Sequence, residues 1–210
     1  GFGQLTMIPD ANFEQALIDL GCDTGTTNGS VPTTNINTVT YLDVSFQSIS
    51  DLTGIEDFTA LTSLNCYSNQ LTILDISNNT ALTYLECGWN QLTSLDVSQN
   101  TALGTFYCQN NQLISLDVSQ NTALGGFLCA NNLLTNLDVS GSPALTHLAC
   151  YNNQLTSLNV SGNFFWNIVP LIHYILLNSP HCERTSFNKN KSRTCDLLLK
   201  FIIGFKASIF

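Results

Sequence analysis

One spacing governs the middle of this chain: from Leu61 to Asn163 the same residue types return every 21 positions. Leu61, Leu64, Cys66, Asn69, Leu71, Leu74 and Ile76 are followed by Leu82, Leu85, Cys87, Asn90, Leu92, Leu95 and Val97. The same columns continue from Leu103, Leu124 and Leu145, giving five gapless copies. A fixed period of this length specifies a solenoid, because each turn buries its apolar face only by stacking on its neighbours. Residues 39–60 read as a divergent first turn through Val39, Leu42, Val44, Ile49, Leu52 and Ile55, with Gln47 in place of the Asn. The offset from Val39 to Leu61 is 22, so the expectation is about six turns of 21–22 residues spanning 39–163.

Within each unit the pattern Leu85-Glu86-Cys87 is echoed by Leu95-Asp96-Val97. Both halves alternate apolar and polar residues, as strands do. The units are too short for a helical return, so the fold class expected is mainly β, with a parallel sheet and extended segments on both sides of every turn. The columns Asn69, Asn90, Asn111, Asn132 and Asn153 fall where the chain bends out of the first strand. There a side-chain amide can bond the backbone groups that the bend frees, and stacked amides can bond each other.

The ends differ from the middle. Residues 1–38 form an N-terminal cap, with an amphipathic helix at about 10–20. Asp10 is its N-cap, Phe13, Leu17 and Leu20 its apolar face, and Gly21 its stop. Residues 22–38 read as a polar loop. Tested as a calcium loop, Asp23 to Asn28 fails, with Gly25 and Thr27 at ligand positions and Asn28 where the turn glycine belongs. Gly1 to Met7 has neither the basic start nor the apolar core of a signal peptide, as a processed secretory protein also would not. After Asn163 the repeat gives way to a tail, 164–210, with two apolar runs flanking a basic stretch. It admits three readings: a non-native extension, a hydrophobic cap, or a membrane-associating segment.

Charge divides along the same boundary. Residues 1–163 carry thirteen acids and no Lys or Arg, whereas 164–210 carry all six basic residues and two acids, giving −13 and +4. A solenoid without cationic side chains is a poor nucleic-acid binder, and no membrane insertion is expected from residues 1–163. Five of eight cysteines, Cys66, Cys87, Cys108, Cys129 and Cys150, occupy one apolar column. They read as small buried hydrophobes, since side chains stacked in one direction fit disulfide geometry poorly.

The columns Leu-x-x-Leu-x-Cys-x-x-Asn-x-Leu-x-x-Leu resemble the leucine-rich repeat consensus. The block NTALTYLECGWNQLTSLDVSQN is similar to repeats of secreted bacterial leucine-rich repeat proteins, particularly of the Bacteroidetes. IPDANFEQALIDLG resembles the N-terminal cap of that group, and ISDLTGIEDFTALTSL the internalin style of repeat. The resemblance covers roughly residues 7–163. It implies a leucine-rich-repeat solenoid (α/β by repeat classification) that is secreted or held at the cell surface, binding proteins or glycans. Such proteins often carry a C-terminal sorting or anchoring domain, which residues 164–210 do not recognisably supply.

In a leucine-rich repeat the residues between the strand leucines face outward on the concave side. Tyr67, Tyr84, Glu86, Trp89, Tyr107, Gln109, His147 and Tyr151 are therefore the candidate ligand-binding residues, with Tyr41 and Phe46 extending the aromatic cluster. Tyr and Trp offer rigid contact area with a polar tip, although aromatics also pair across strands for stability alone. On the opposite side Asp75, Asp96, Asp117 and Asp138 form a column whose mutual repulsion is about 1 kcal/mol per neighbouring pair in water. Hydrogen bonds from Ser77, Ser98, Ser119 and Ser140 with solvation would offset it, or a hard cation such as Ca²⁺. No other cofactor is implied. Catalysis has little support: His147, His173 and His181 have no evident nucleophile and orienting carboxylate beside them. The functional expectation is a non-enzymatic scaffold recognising a protein or glycan. The alternative is a structural or surface-layer element, Ca²⁺-stabilised through the Asp column, with no specific ligand.

Overall fold

The computed structural model describes residues 3–163; the tail at 164–210 and its three readings lie outside them. The chain opens with strand β1 (Leu5–Met7), helix α1 (Ala11–Asp19), strand β2 (Ser30–Pro32) and a short helix α2 (Thr33–Ile36). Six concave strands follow, one per turn: β3 (Tyr41–Asp43), β4 (Ser63–Asn65), β5 (Tyr84–Glu86), β6 (Thr105–Tyr107), β7 (Gly126–Leu128) and, after β8 (Asn136–Asp138), β9 (His147–Ala149). They form one parallel sheet in the order β3-β4-β5-β6-β7-β9, with Leu42, Leu64, Leu85, Phe106, Phe127 and Leu148 in register. This is the six-turn parallel solenoid expected from the period.

The opposite side departs from expectation. Only β8 and β10 (Ser157–Asn159) pair there as strands. In the earlier turns the equivalent segments are not strands, and each Asp satisfies its own backbone locally: Ser77 N and Ser98 N donate to Asp75 and Asp96 Oδ1 at 3.0 and 2.8 Å. The repeats otherwise contain only a 3-10 turn, Ile55–Asp57.

The core is a set of continuous files running through the turns. The cysteine file is fully or almost fully buried, with free thiols. Phe106 and Phe127 replace Leu in their file and stack at 5.3 Å. Two asparagine files close the bends. Asn90 Nδ2 donates to Cys66 O and Cys87 O at 3.0 and 3.1 Å, while its Oδ1 accepts Leu71 N at 3.0 Å. Asn111 and Asn132 repeat this arrangement. Asn79, Asn100 and Asn121 form the second file, donating to carbonyls of the preceding turn. The amides of both files thus bond backbone rather than one another, because a bend exposes two carbonyls within reach of each Nδ2.

The cap is built as expected at its helix. Asp10 Oδ1 accepts Asn12 N and Phe13 N, and Gly21 leaves the helix at φ 76°. Phe13 and Leu17 are buried, with Phe13 6.3 Å from Phe58. Leu20, read as part of that face, is instead 51% exposed, since the helix ends before it. Asp10 also welds cap to solenoid: its Oδ2 accepts Ser50 N, Ser50 Oγ and Asp51 N. The segment read as a polar loop is more ordered than expected. β2 pairs antiparallel with β1, and the buried Glu14 carboxylate accepts Asn28 N and Gly29 N at 2.6 and 2.9 Å. Glu14 staples the helix to that segment, which its helical spacing alone did not reveal. Gly54 (φ 104°) joins the first turn to β1, where a Cβ would overlap Ile8 Cδ1 and Met7 O.

Candidate recognition face

The concave sheet directs every second side chain outward, so Tyr84 and Glu86 of β5 and Thr105 and Tyr107 of β6 share one surface. Just beyond each strand a residue sits in the left-handed region: Phe46, Ser68, Trp89, Asn110, Asn131 and Asn152, with φ between 52 and 58°. Asn and Ser tolerate this conformation, whereas for a bulky L-residue it costs roughly 1–2 kcal/mol. Phe46 and Trp89 nevertheless stand there, 69% and 55% exposed. Sequence reasoning singled out both aromatics without seeing the strain. The Ser and Asn filling the rest of that column were the available signal.

The expected cluster is assembled on this face but is not uniform. Phe46 and Tyr67 meet edge-on at 5.2 Å, and Tyr84 and Tyr107 at 6.0 Å. Tyr41, 62% exposed, donates to Asp43. Past Tyr107 the surface dips at Gly126 and the buried Ala130, then rises to the exposed His147 and the half-buried Tyr151. His147 Nδ1 lies 2.9 Å from Thr146 Oγ1. The aromatic residues are thus concentrated in the first four turns.

Glu86 is 8% exposed, unlike its neighbours. Burial pushes its pKa up, opposed by hydrogen bonds from Gly88 N and Gln109 Nε2, both 3.2 Å from Oε1. Gly88 creates the space: a Cβ would lie 2.8 Å from both Glu86 Oε1 and Gln109 Nε2. The same column holds Tyr67, Gln109, Ala130 and Tyr151 in other turns, so this notch occurs in one turn. Glu86 and Gln109 were expected on the face; the glycine that lets them join was not. Asp43, the other carboxylate on the face, is raised by burial but held lower overall by bonds from Ser45, Asn65 and Tyr41.

On the opposite side Asp75, Asp96, Asp117 and Asp138 are exposed, each capped by the serine two residues on. These bonds lower the pKa of all four. A shallow open groove lies between Ile73, Asp75 and Ser77 of one turn and Ser94 and Asp96 of the next. Among the described residues no three His, Cys, Asp or Glu side chains converge as a metal site.

No family model matches the chain. Its structure is similar to the functional domain of InlJ from Listeria monocytogenes, described as including a cysteine ladder, at 40% identity and TM-score 0.67. That match covers 79% of this chain and 40% of the other. The fold is that of an internalin-like leucine-rich repeat solenoid. A 42-residue stretch is 52% identical to Internalin J of L. monocytogenes serotype 4b (strain F2365), covering 20% of this chain and 5% of that protein. Internalin InlF of the same strain is 26% identical with TM-score 0.62, over 79% of this chain and 53% of that one. This internalin-like chain therefore spans about half or less of the length of these relatives. Among the described residues no helix is long and apolar enough to cross a membrane.

Proposed function

We propose that this chain is a non-enzymatic binding module, secreted or displayed at the cell surface, whose concave face recognises a protein or glycan ligand. Tyr67, Tyr84, Trp89, Tyr107 and Tyr151 carry the contact, with Glu86, Gln109 and His147 as polar partners. One observation supports this most: Trp89, with Phe46, occupies a left-handed position that Asn or Ser fills in the other turns, and remains exposed. A residue kept in a costly conformation without full burial is explained by what it contacts outside the fold. Aromatic residues of this kind are also what protein and sugar surfaces bind best.

The test is a screen of the full chain on protein and glycan arrays beside the Tyr84→Ala/Trp89→Ala/Tyr107→Ala variant, with circular dichroism to verify its fold. A ligand lost by the folded variant is the expected result. A ligand retained by it would refute the concave-face assignment.

A further inference from the structure

We propose that the notch at Glu86 is a seat for a cationic side chain, an arginine or lysine presented by a partner protein, walled by Tyr84 and Tyr107. This rests on the concave-face reading above and narrows its ligand to a protein with a basic surface.

Three features point to a missing donor. Both hydrogen bonds to Glu86 fall on Oε1, leaving Oε2 without one among the described residues. Gln109 uses its Nε2 to reach that carboxylate, and its Oε1 is buried with no partner among the described residues. The notch thus holds acceptors in excess of donors. A carboxylate drawn out of water is stable when paired with opposite charge, and residues 1–163 contain no Lys or Arg to provide it. Guanidinium and ammonium groups carry donors and no acceptor, which is the complement this site lacks.

The walls fit the same guest. The Tyr84 and Tyr107 rings meet edge-on at 6.0 Å, and Tyr107 lies in register with Glu86 on the neighbouring strand. A cation over such rings gains from their quadrupoles, most when partly desolvated. The charge of −13 on residues 1–163 would steer basic partners toward the solenoid. A neutral glycan would use the rings but neither the field nor the carboxylate's charge.

The experiment titrates the full chain with a fluorescent nonapeptide containing three arginines and two tyrosines, and with the same peptide bearing citrulline for arginine. Glu86→Gln keeps the Oε1 acceptor and removes the charge; Asp96→Asn removes an exposed charge from the other side. Expected are binding of the arginine peptide, weaker binding of the citrulline peptide, and a loss of about tenfold or more in Glu86→Gln. Asp96→Asn should lose under about twofold. Equal losses in both variants would show attraction by bulk charge and overturn the seat, as would equal binding of the citrulline peptide or no binding of either. If an array ligand is lost by the aromatic triple variant but held by Glu86→Gln, the seat falls while the concave-face reading stands. If the triple variant keeps every ligand, both fall.

Discussion

The asparagine file makes a quantitative test of how these turns hold together. In Asn90→Ala, Leu71 N loses the Oδ1 it donates to and is left buried without a partner. Cys66 O and Cys87 O each lose one donor but keep another, because Asn69 also donates to Cys66 O and Asn111 to Cys87 O. One orphaned amide predicts a loss of roughly 1–3 kcal/mol. Asn111→Ala is equivalent, orphaning Leu92 N. In the double variant Cys87 O loses both donors together, so the loss should exceed the sum of the singles by about 1–3 kcal/mol. Asn90→Ala with Asn153→Ala is the control, since Asn153 donates to Cys129 O and Cys150 O and shares no acceptor with Asn90. That pair should add within ~0.5 kcal/mol. Urea unfolding followed by circular dichroism measures all five variants. Additivity of the Asn90/Asn111 pair would refute the shared-carbonyl argument.

Two further outcomes follow from the buried and capped groups. Hydrogen bonds from their serines lower the folded pKa of Asp75, Asp96, Asp117 and Asp138, so their contribution is present above the unfolded value of 3.8 and lost as pH falls below it. Glu86 is raised above 4.5 by burial, so its contribution runs the other way and is lost as pH rises through its folded pKa. Thermal melts should therefore fall below about pH 4 as the aspartates protonate, and Glu86→Gln should be at least as stable as the parent at neutral pH; a less stable variant there would contradict this. The second concerns the thiols: burial pushes Cys150 up to about 12 and pushes Cys66, Cys87, Cys108 and Cys129 far up as well. Iodoacetamide at about pH 8 should leave these five unmodified by mass spectrometry until denaturant is added. Modification of the native protein at the rate of free cysteine would disprove their burial.

Much of this molecule was legible from its period. A 21-residue spacing of Leu, Cys and Asn dictates which atoms stack on which, since each turn meets nearly the same neighbours as the last. The six concave strands, the buried thiols and the Asn90-type bends follow from that identity alone. So does the placing of Tyr84 and Tyr107 on one face, because strand alternation is a local property. Asp10 as N-cap was legible for the same reason.

What the tertiary structure decided lies where distant or non-repeating residues meet. Glu14 holding Asn28 and Gly29, β1 pairing with β2, and Leu20 left in solvent depend on how the cap folds back, which no period encodes. The left-handed setting of Trp89 is a backbone angle, invisible in a column until the Ser and Asn around it are read as one conformation. The Glu86 notch needs detail from two turns: an acid on one strand, a glycine after it, and a glutamine one turn on. The sequence by itself determined the stack, because repetition makes every contact a copy. Only the tertiary structure decided the site, because a site is where one turn differs from its copies and the neighbours fill the space.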